Sequence, residues 1–308
     1  MTSNHQETTK NHATVLIIIV TYNAMKWADH CFGSIRLSTI SCDVFCIDNG
    51  STDGTQDYIR LNYPEVIFTQ AQSNLGFGKA NNLGLQYVLD NEYQYAYLLN
   101  QDAWLLPNTL QELILIAEHH PEYGLLSPMQ MKADQKHLED RFLNVVLRWK
   151  APTLIFLDQL YNHQVADVYE VSFVMAAHWL ITRNCIETAG GFSPTFYHYG
   201  EDTNYIERVN YWKKRVGIVP SAQAIHDRAD SSWNFKKHLY IDWYLPALNR
   251  LSNPGSTTTI GREIYKLLKY AVRHQCKPML SHAFQLWSSR KETIKNRGLS
   301  QQERAFLQ

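Results

Sequence analysis

The chain has little that would mark it as secreted, membrane-spanning or nucleic-acid-binding. Cysteines are few, five in 308 residues (31, 42, 46, 185 and 276), an odd number with no paired framework or metal-knuckle spacing. A disulfide scaffold is thereby excluded, and ordinary core cysteines in a reducing cytoplasm are expected. Cys42 and Cys46 alone are too weak a pair for a zinc or redox site. No apolar run approaches the roughly 18 residues a membrane span needs, and the longest, Val15–Val20, has the length of a buried strand. Residues 1–13 are polar, carry His5, Lys10 and His12, and lack the apolar heart of a secretory signal. They read as a loose tail. No Gly-x-Gly-x-x-Gly follows Val15–Val20, so the dinucleotide fingerprint is missing. There is also no net charge, since 29 Lys/Arg balance 29 Asp/Glu.

That zero is unevenly built. Arg262 to Gln308 holds ten Lys/Arg and three Asp/Glu, or +7, so the rest of the chain is −7. A basic end on an acidic body argues against a general nucleic-acid binder and fits an anionic membrane surface. Ile264, Leu267, Leu268, Ala271 and Val272 recur there at helical spacing, with Lys266, Lys269 and Arg273 opposite. Such a helix either packs on the main domain or lies on a membrane.

With 45% apolar residues the chain is not disordered, and its length allows one large domain plus an appendage. From residue 14, strand-like runs alternate with helix-like ones. Strands are predicted at Val15–Val20, Val44–Ile47, Val66–Thr69 and Tyr95–Leu99, and helices at Trp27–Leu37, Gln56–Asn62, Phe77–Asp90 and Thr109–His119. This rhythm implies an α/β fold with a mostly parallel central sheet flanked by helices. Ligands of such sheets bind at the carboxyl ends of the strands. Ser127–Tyr169 reads as loops and helices shaping an acceptor side; Phe173–Ile181, Val216–Val219 and Ala224–Ile225 read as later strands. The expected division is tail 1–13, catalytic domain 14–235 and a basic, mainly helical extension 236–308.

Polar residues cluster where those strands end. The first strand leads into Thr21-Tyr22-Asn23, suited to a base or ribose, or to a plain strand-to-helix turn. The second delivers Asp48 and a loop through Thr55 with two acids, two glycines and no lysine, which is no phosphate-clamping P-loop. Its acids would instead accept from an imide N–H or a ribose hydroxyl, while Asp53 or Thr55 would cap the next helix. Asn74, Lys79 and Asn82 follow the third strand and would suit a diphosphate or sugar edge. The fourth delivers Asn100-Gln101-Asp102, placing a carboxylate for a hard divalent cation completed by substrate phosphate oxygens. His226 reads as a further ligand, a diphosphate donor or a structural residue. Finally Gly190–Asp202 is an aromatic-lined loop ending in Glu201-Asp202 before a helical segment, Thr203–Lys214. Two such acids either cap that helix or serve as a proton acceptor and its support.

These runs, in this order, resemble glycosyltransferase family 2, enzymes of the GT-A fold that use nucleotide-diphosphate sugars. The matching pieces are Val20–Asn23, Ile47–Thr55, Asn74–Asn82, Leu98–Asp102, Gly190–Phe192 and Tyr199–Asp202, within about residues 14–228. The resemblance is strongest to the bacterial, rhamnosyltransferase-like branch that builds surface polysaccharides. It implies an inverting transferase carrying a sugar from a UDP- or dTDP-type donor to a saccharide or lipid-linked acceptor, in the cytoplasm or on the inner face of the membrane. Thr21, Tyr22 and Asp48, with Asn23, Asn74, Lys79, Asn82 and Gln101, would serve the donor. Asp102 and His226 would hold Mn²⁺ or Mg²⁺, and Asp202 would be the base with Glu201 beside it. Two departures stand out: Asn100 replaces the first acid of the family's Asp-x-Asp, and Asn204 replaces a usual Asp while Arg208 is kept. An inactive, nucleotide-sugar-binding or scaffold relative is the alternative reading. A nucleotidyltransferase would need a basic, glycine-rich loop that Val20–Asn23 lacks.

Overall fold

The computed structural model describes residues 14–148, 150–228 and 234–307. The expected tail at residues 1–13 lies outside them. Elements run β1 (Val15–Thr21), α1 (Ala28–Ile35), β2 (Asp43–Asp48), α2 (Thr55–Asn62), β3 (Ile67–Gln70), α3 (Phe77–Asp90), β4 (Tyr95–Asn100) and β5 (Ala103–Leu105). There follow α4 (Thr109–His119), β6 (Tyr123–Met131), α5 (Asp140–Arg148), α6 (Lys150–Leu160), β7 (Tyr169–Glu170), β8 (His178–Thr182), α7 (Arg183–Ala189), α8 (Glu201–Tyr211) and β9 (Arg215–His226). The chain continues as α9 (Phe235–Leu239), a π-helical turn (Tyr240–Tyr244), α10 (Leu245–Ser252), α11 (Ile260–Arg273), α12 (Lys277–Ser288) and α13 (Arg290–Leu299).

The sheet order is β3-β2-β1-β4-β8-β6-β9-β5, with β7 also on β9. The first four strands are mutually parallel, as are β6 and β9, while β8 runs antiparallel between β4 and β6. Both sides of the middle are covered. Leu16 and Ile18 of β1 enter one apolar cluster, and Val15, Ile17 and Ile19 the other. A strand buried on both faces has no use for alternation, which is why β1 reads as one apolar run. Gly84 lets α3 lie flat on this sheet; a Cβ there would sit 2.5 Å from the Ile18 side chain.

Three sequence expectations change. Phe173–Ile181 pairs only from His178 on, because Val174 and Met175 are buried by packing rather than by a ladder. The two short strands expected at 216–225 are one strand, β9, whose pairing with β6 jumps from Pro128/Val219 to Met129/Gln223. Pro220 falls in that gap, where no ladder donor is needed. The irregular region expected from Ser127 begins inside β6, so only α5 and α6 fit the expectation of loops and helices.

The C-terminal helices gather a third cluster around Leu248, Leu267, Met279 and Leu286, joined by Phe196. The chain then returns to the sheet domain. Gly191 N–H donates to Ala305 O at 2.8 Å, Asn82 Nδ2 donates to Phe306 O at 3.3 Å, and Leu307 packs on the main core. The extension is therefore tied in at its far end.

Candidate active site

The carboxyl ends of β1, β2 and β4 are knitted into one network. Asp48, fully buried, accepts from Gly50 N–H at 3.0 Å, Ser51 N–H at 2.9 Å and Gln56 Nε2 at 2.9 Å through Oδ1. Its Oδ2 accepts from Thr21 Oγ1 at 2.9 Å and from the Ser51 hydroxyl. Asn23, held at φ 52, accepts from Thr52 N–H at 2.8 Å. Gln101 grips the Tyr22 backbone from both sides, accepting from its N–H at 2.7 Å and donating to its carbonyl at 3.2 Å. Tyr22 itself is 49% exposed.

Beside this network lies a cavity of about 840 Å³ whose lining includes Asn100, Asp102, His226 and Arg228 together with Glu201, Asp202, Glu207 and Asn249. Asp102 follows β4 and His226 ends β9, and Asp102 Oδ1 stands 3.5 Å from His226 Nε2. Burial pushes the Asp102 carboxyl up, but the His226 ring and the Arg228 charge outweigh it and leave the pKa below the ordinary value. His226 is 1% exposed, and neither ring nitrogen has a hydrogen-bond partner among the described residues. Buried imidazole nitrogens are normally satisfied. A carboxylate and an unpartnered imidazole at one edge of a cavity suit a divalent cation. No group of three or more His, Cys, Asp or Glu that could hold a metal ion by itself is found among the described residues.

The acid pair sits in the first turn of α8, not at its cap. Gly200, at φ 89, occupies the cap position and turns the chain so that Glu201 and Asp202 enter the cavity. Asp202 Oδ1 accepts from Thr203 N–H at 2.7 Å. Burial raises the Asp202 pKa against that hydrogen bond and the positive charge of Arg228. The Glu201 carboxyl is also raised, by burial first and by the Asp202 charge second, and its Oε2 has no partner among the described residues. The two carboxyls thus resist ionising together.

The Glycosyl transferase family 2 profile matches residues 16–182, more than half of the chain. The chain belongs to that family. Among curated proteins it is similar to the N-acetylglucosaminyl-diphospho-decaprenol L-rhamnosyltransferase of Mycobacterium tuberculosis, 25% identical over 239 residues, covering 70% of this chain and 76% of that one. Its fold is similar to that of S. aureus TarS residues 1–349 in complex with UDP-GlcNAc (TM-score 0.56, 14% identity, 93% of this chain and 90% of that one). It is likewise similar to a Pyrobaculum calidifontis mannosyltransferase in complex with GDP-Man and Mn²⁺ (TM-score 0.53, 16% identity, 94% and 74%). This family 2 glycosyltransferase accordingly has the GT-A-like α/β architecture expected of it.

Within the transferase, the residues singled out for the donor separate into two groups. Thr21, Tyr22, Asn23, Asp48 and Gln101 come together, but the polar atoms of Thr21 and Asp48 are buried and spent on each other and on the loop. These two order the cleft wall rather than present atoms to its open side. Asn74 lies at the third strand's end and is occupied by Gly76 N–H at 2.9 Å. Lys79 and Asn82 are corrections. They lie on the face of α3 that lines a separate 450 Å³ pocket with Phe306 and Leu307. Asn82 accepts from Phe192 N–H at 2.6 Å and donates to its carbonyl at 2.9 Å, so its amide joins α3 to the Gly190–Asp202 loop. Phe77 of the same helix lines the main cavity, whereas helical periodicity sets Lys79 and Asn82 on another face.

The sequence reading missed Arg228, Glu207 and Asn249. Arg228 stands two residues past His226, with burial lowering its pKa and the Asp102 charge opposing that. Glu207 is two turns into α8, its pKa pushed up to about 7, chiefly by burial. Asn249 is contributed by α10, from beyond the matched motifs, and nothing in local sequence could have assigned it. Arg208 is not a site residue: it is fully buried, donates to Gly191 O and lies over Tyr205 and Phe306.

A stability prediction follows from the raised acids. A carboxyl whose pKa is higher folded than unfolded stabilises the fold most below its ordinary pKa, and that contribution is lost as pH rises through the folded value. For Glu201 and Glu207 the window runs from the ordinary carboxylate range to about neutrality or above. Melting temperature should fall across it, and Glu201→Gln should recover a few degrees at pH 8 while changing little at pH 5. Parallel melting-versus-pH curves for the two proteins would rule this out.

Proposed function

We propose that this glycosyltransferase moves a sugar from a nucleotide-diphosphate donor, of the UDP or dTDP type, to a hydroxyl of a saccharide or lipid-linked saccharide, with inversion at the anomeric carbon, in surface-polysaccharide synthesis. The observation that carries the reading is that Asp202 and the Asp102–His226 pair line one cavity of a size to hold a sugar diphosphate. Tyr22 and the loop ordered by Asp48 would receive the nucleotide. Asp102 and His226 would hold Mn²⁺ or Mg²⁺, and Arg228 would face the diphosphate. Such a cation, when bound, supplies positive charge against that growing on the departing diphosphate. Asp202 would accept the proton of the attacking hydroxyl, with Glu201 tuning its charge. The division at residue 235 and a place on the cytoplasmic side of the membrane belong to the same proposal; no helix among the described residues is long and apolar enough to cross a membrane. The test is a thermal-shift panel of nucleotide sugars with and without Mn²⁺, paired with nucleotide release. Donor binding without release under any acceptor would favour the inactive-relative reading, and no donor binding would sink both.

The part of the cavity lined by Glu207 and Asn249 would take the acceptor. Glu207 Oε2 and Asn249 Oδ1 have no partner among the described residues, and Asn249 is 7% exposed. Unpartnered acid and amide oxygens on facing helices suit the hydroxyls of a sugar. Glu207→Gln and Asn249→Ala should each raise the KM for an N-acetylglucosamine diphosphate carrying a short isoprenoid by about tenfold, at unchanged donor affinity. A change in donor affinity alone would move these residues to the donor side.

A further inference from the structure

The solvent side of the C-terminal helices is not polar. On α11, Tyr265, Leu268 and Val272 follow at i, i+3 and i+7 and are 64%, 39% and 77% exposed. On α12, Leu280, Phe284 and Trp287 follow at i, i+4 and i+7 and are 48%, 71% and 50% exposed. Each row lies beside, not within, the buried row that holds its helix down, Leu267 and Ala271 on α11 and Met279, Ala283 and Leu286 on α12. An amphipathic helix normally keeps its second face hydrophilic. These helices bury one apolar row and expose another.

The exposed rows are bordered by cations. At about 3.6 residues per turn, Arg262, Lys269 and Arg273 form a row next to Tyr265, Leu268 and Val272. Lys277 opens α12, and Arg290 stacks on Trp287 at 3.9 Å. Between Ile264 and Lys291 the chain has no Asp or Glu at all. Of the two acids that flank this stretch, Glu263 is buried and taken by Arg250 and Lys266, each at 2.7 Å, and Glu292 lies on α13. The same Arg250 lines the cavity, so α11 stands one ion pair away from the proposed acceptor end.

We propose that this face of α11 and α12 rests on an anionic lipid bilayer, with the apolar rows entering the interface and the cations meeting lipid phosphates. The chemistry selects this occupant. A second copy of the chain docked through the same face would set the cations of α11 and α12 against their own kind, since neither helix carries an exposed carboxylate and a two-fold contact pairs a surface with itself. A bilayer offers apolar depth and negative charge together. Exposed Trp and Tyr suit its headgroup level, and Lys and Arg stems reach past apolar side chains to the phosphates. The inference deepens the lipid-linked form of the proposed acceptor, but its test does not depend on that reading.

Truncating the extension is not a usable test, because Ala305–Leu307 belong to the folded body. Point variants are. Full-length protein should float with phosphatidylcholine vesicles containing phosphatidylglycerol and much less with phosphatidylcholine alone. Lys269→Glu with Arg273→Glu should weaken binding to the anionic vesicles by roughly tenfold or more. Val272→Asp with Phe284→Asp should weaken it similarly and also remove binding that survives high salt. All four substituted side chains are exposed, so nucleotide-sugar thermal shifts should be unchanged and would show that the variants are folded. Equal flotation of all three proteins, or none by the parent protein, would overturn the proposal. So would a dimer in solution that either variant dissociates, which would make the face an interface between copies. A failed transferase assay with intact flotation would count against the proposed reaction and leave this inference standing.

Discussion

Replacing Asp202 with Asn should lower turnover by about 10²–10⁴-fold, the usual contribution of a positioned general base, and leave donor binding nearly unchanged. The substitution keeps the shape and removes the charge that would receive the acceptor proton. Asp202 is placed for such a role because Gly200 caps α8 and turns the first-turn carboxyls into the cavity, where burial raises the Asp202 pKa. Ionisation of the acid pair should also set the acidic limb of the pH–rate profile, with activity rising as pH climbs through it. Glu201→Gln leaves the Asp202 carboxylate in place, so it should cost less rate than Asp202→Asn. Turnover within a few fold of normal in Asp202→Asn, with nucleotide released at the ordinary rate, would assign the proton to another group.

Asp102→Asn should come second in effect, cutting turnover by about 10²-fold or more and abolishing the extra thermal stabilisation that Mn²⁺ adds to a bound nucleotide sugar. Asp102 is the carboxylate nearest His226, whose ring nitrogens have no other partner among the described residues. Because Asn100 stands where a second acid is usual, the protein contributes only a thin set of ligands. Metal affinity should therefore be low alone and rise with donor, whose phosphates complete the shell. His226→Ala should weaken the Mn²⁺ response without eliminating it. A calorimetric titration of Mn²⁺ with and without donor checks both points; equal affinities would separate metal from donor binding.

The first half of the fold was legible because each of its elements follows from local pattern. Phe77–Asp90 and Thr109–His119 match their predicted helices at both ends, and the four parallel strands fall where their apolar runs lie. A strand covered on both faces must be apolar throughout, and the loop at its carboxyl end must carry whatever polar chemistry there is. The later strands were less legible. β8, β6 and β9 run antiparallel or through proline-bearing gaps, and their partners are set by pairs far apart in the chain.

For the site, sequence pattern pointed to Asp102, Glu201 and Asp202, which line one cavity, because each follows a strand or an aromatic-lined loop in a family-typical run. It could not distinguish side chains aimed at the cleft from those aimed elsewhere. Lys79 and Asn82 share a motif with the third strand's loop, yet one helical turn rotates them onto a different pocket. Asp48 looked like a ligand and is the anchor of its own loop, since five hydrogen bonds converge on its carboxylate. Arg228, Glu207 and Asn249 reach the cavity only through packing of β9, α8 and α10, a matter of long-range contacts. The basic extension shows the same limit most plainly. Its charge and helical spacing were written in order along the chain, whereas which apolar row is buried and which faces outward depends on what each helix packs against.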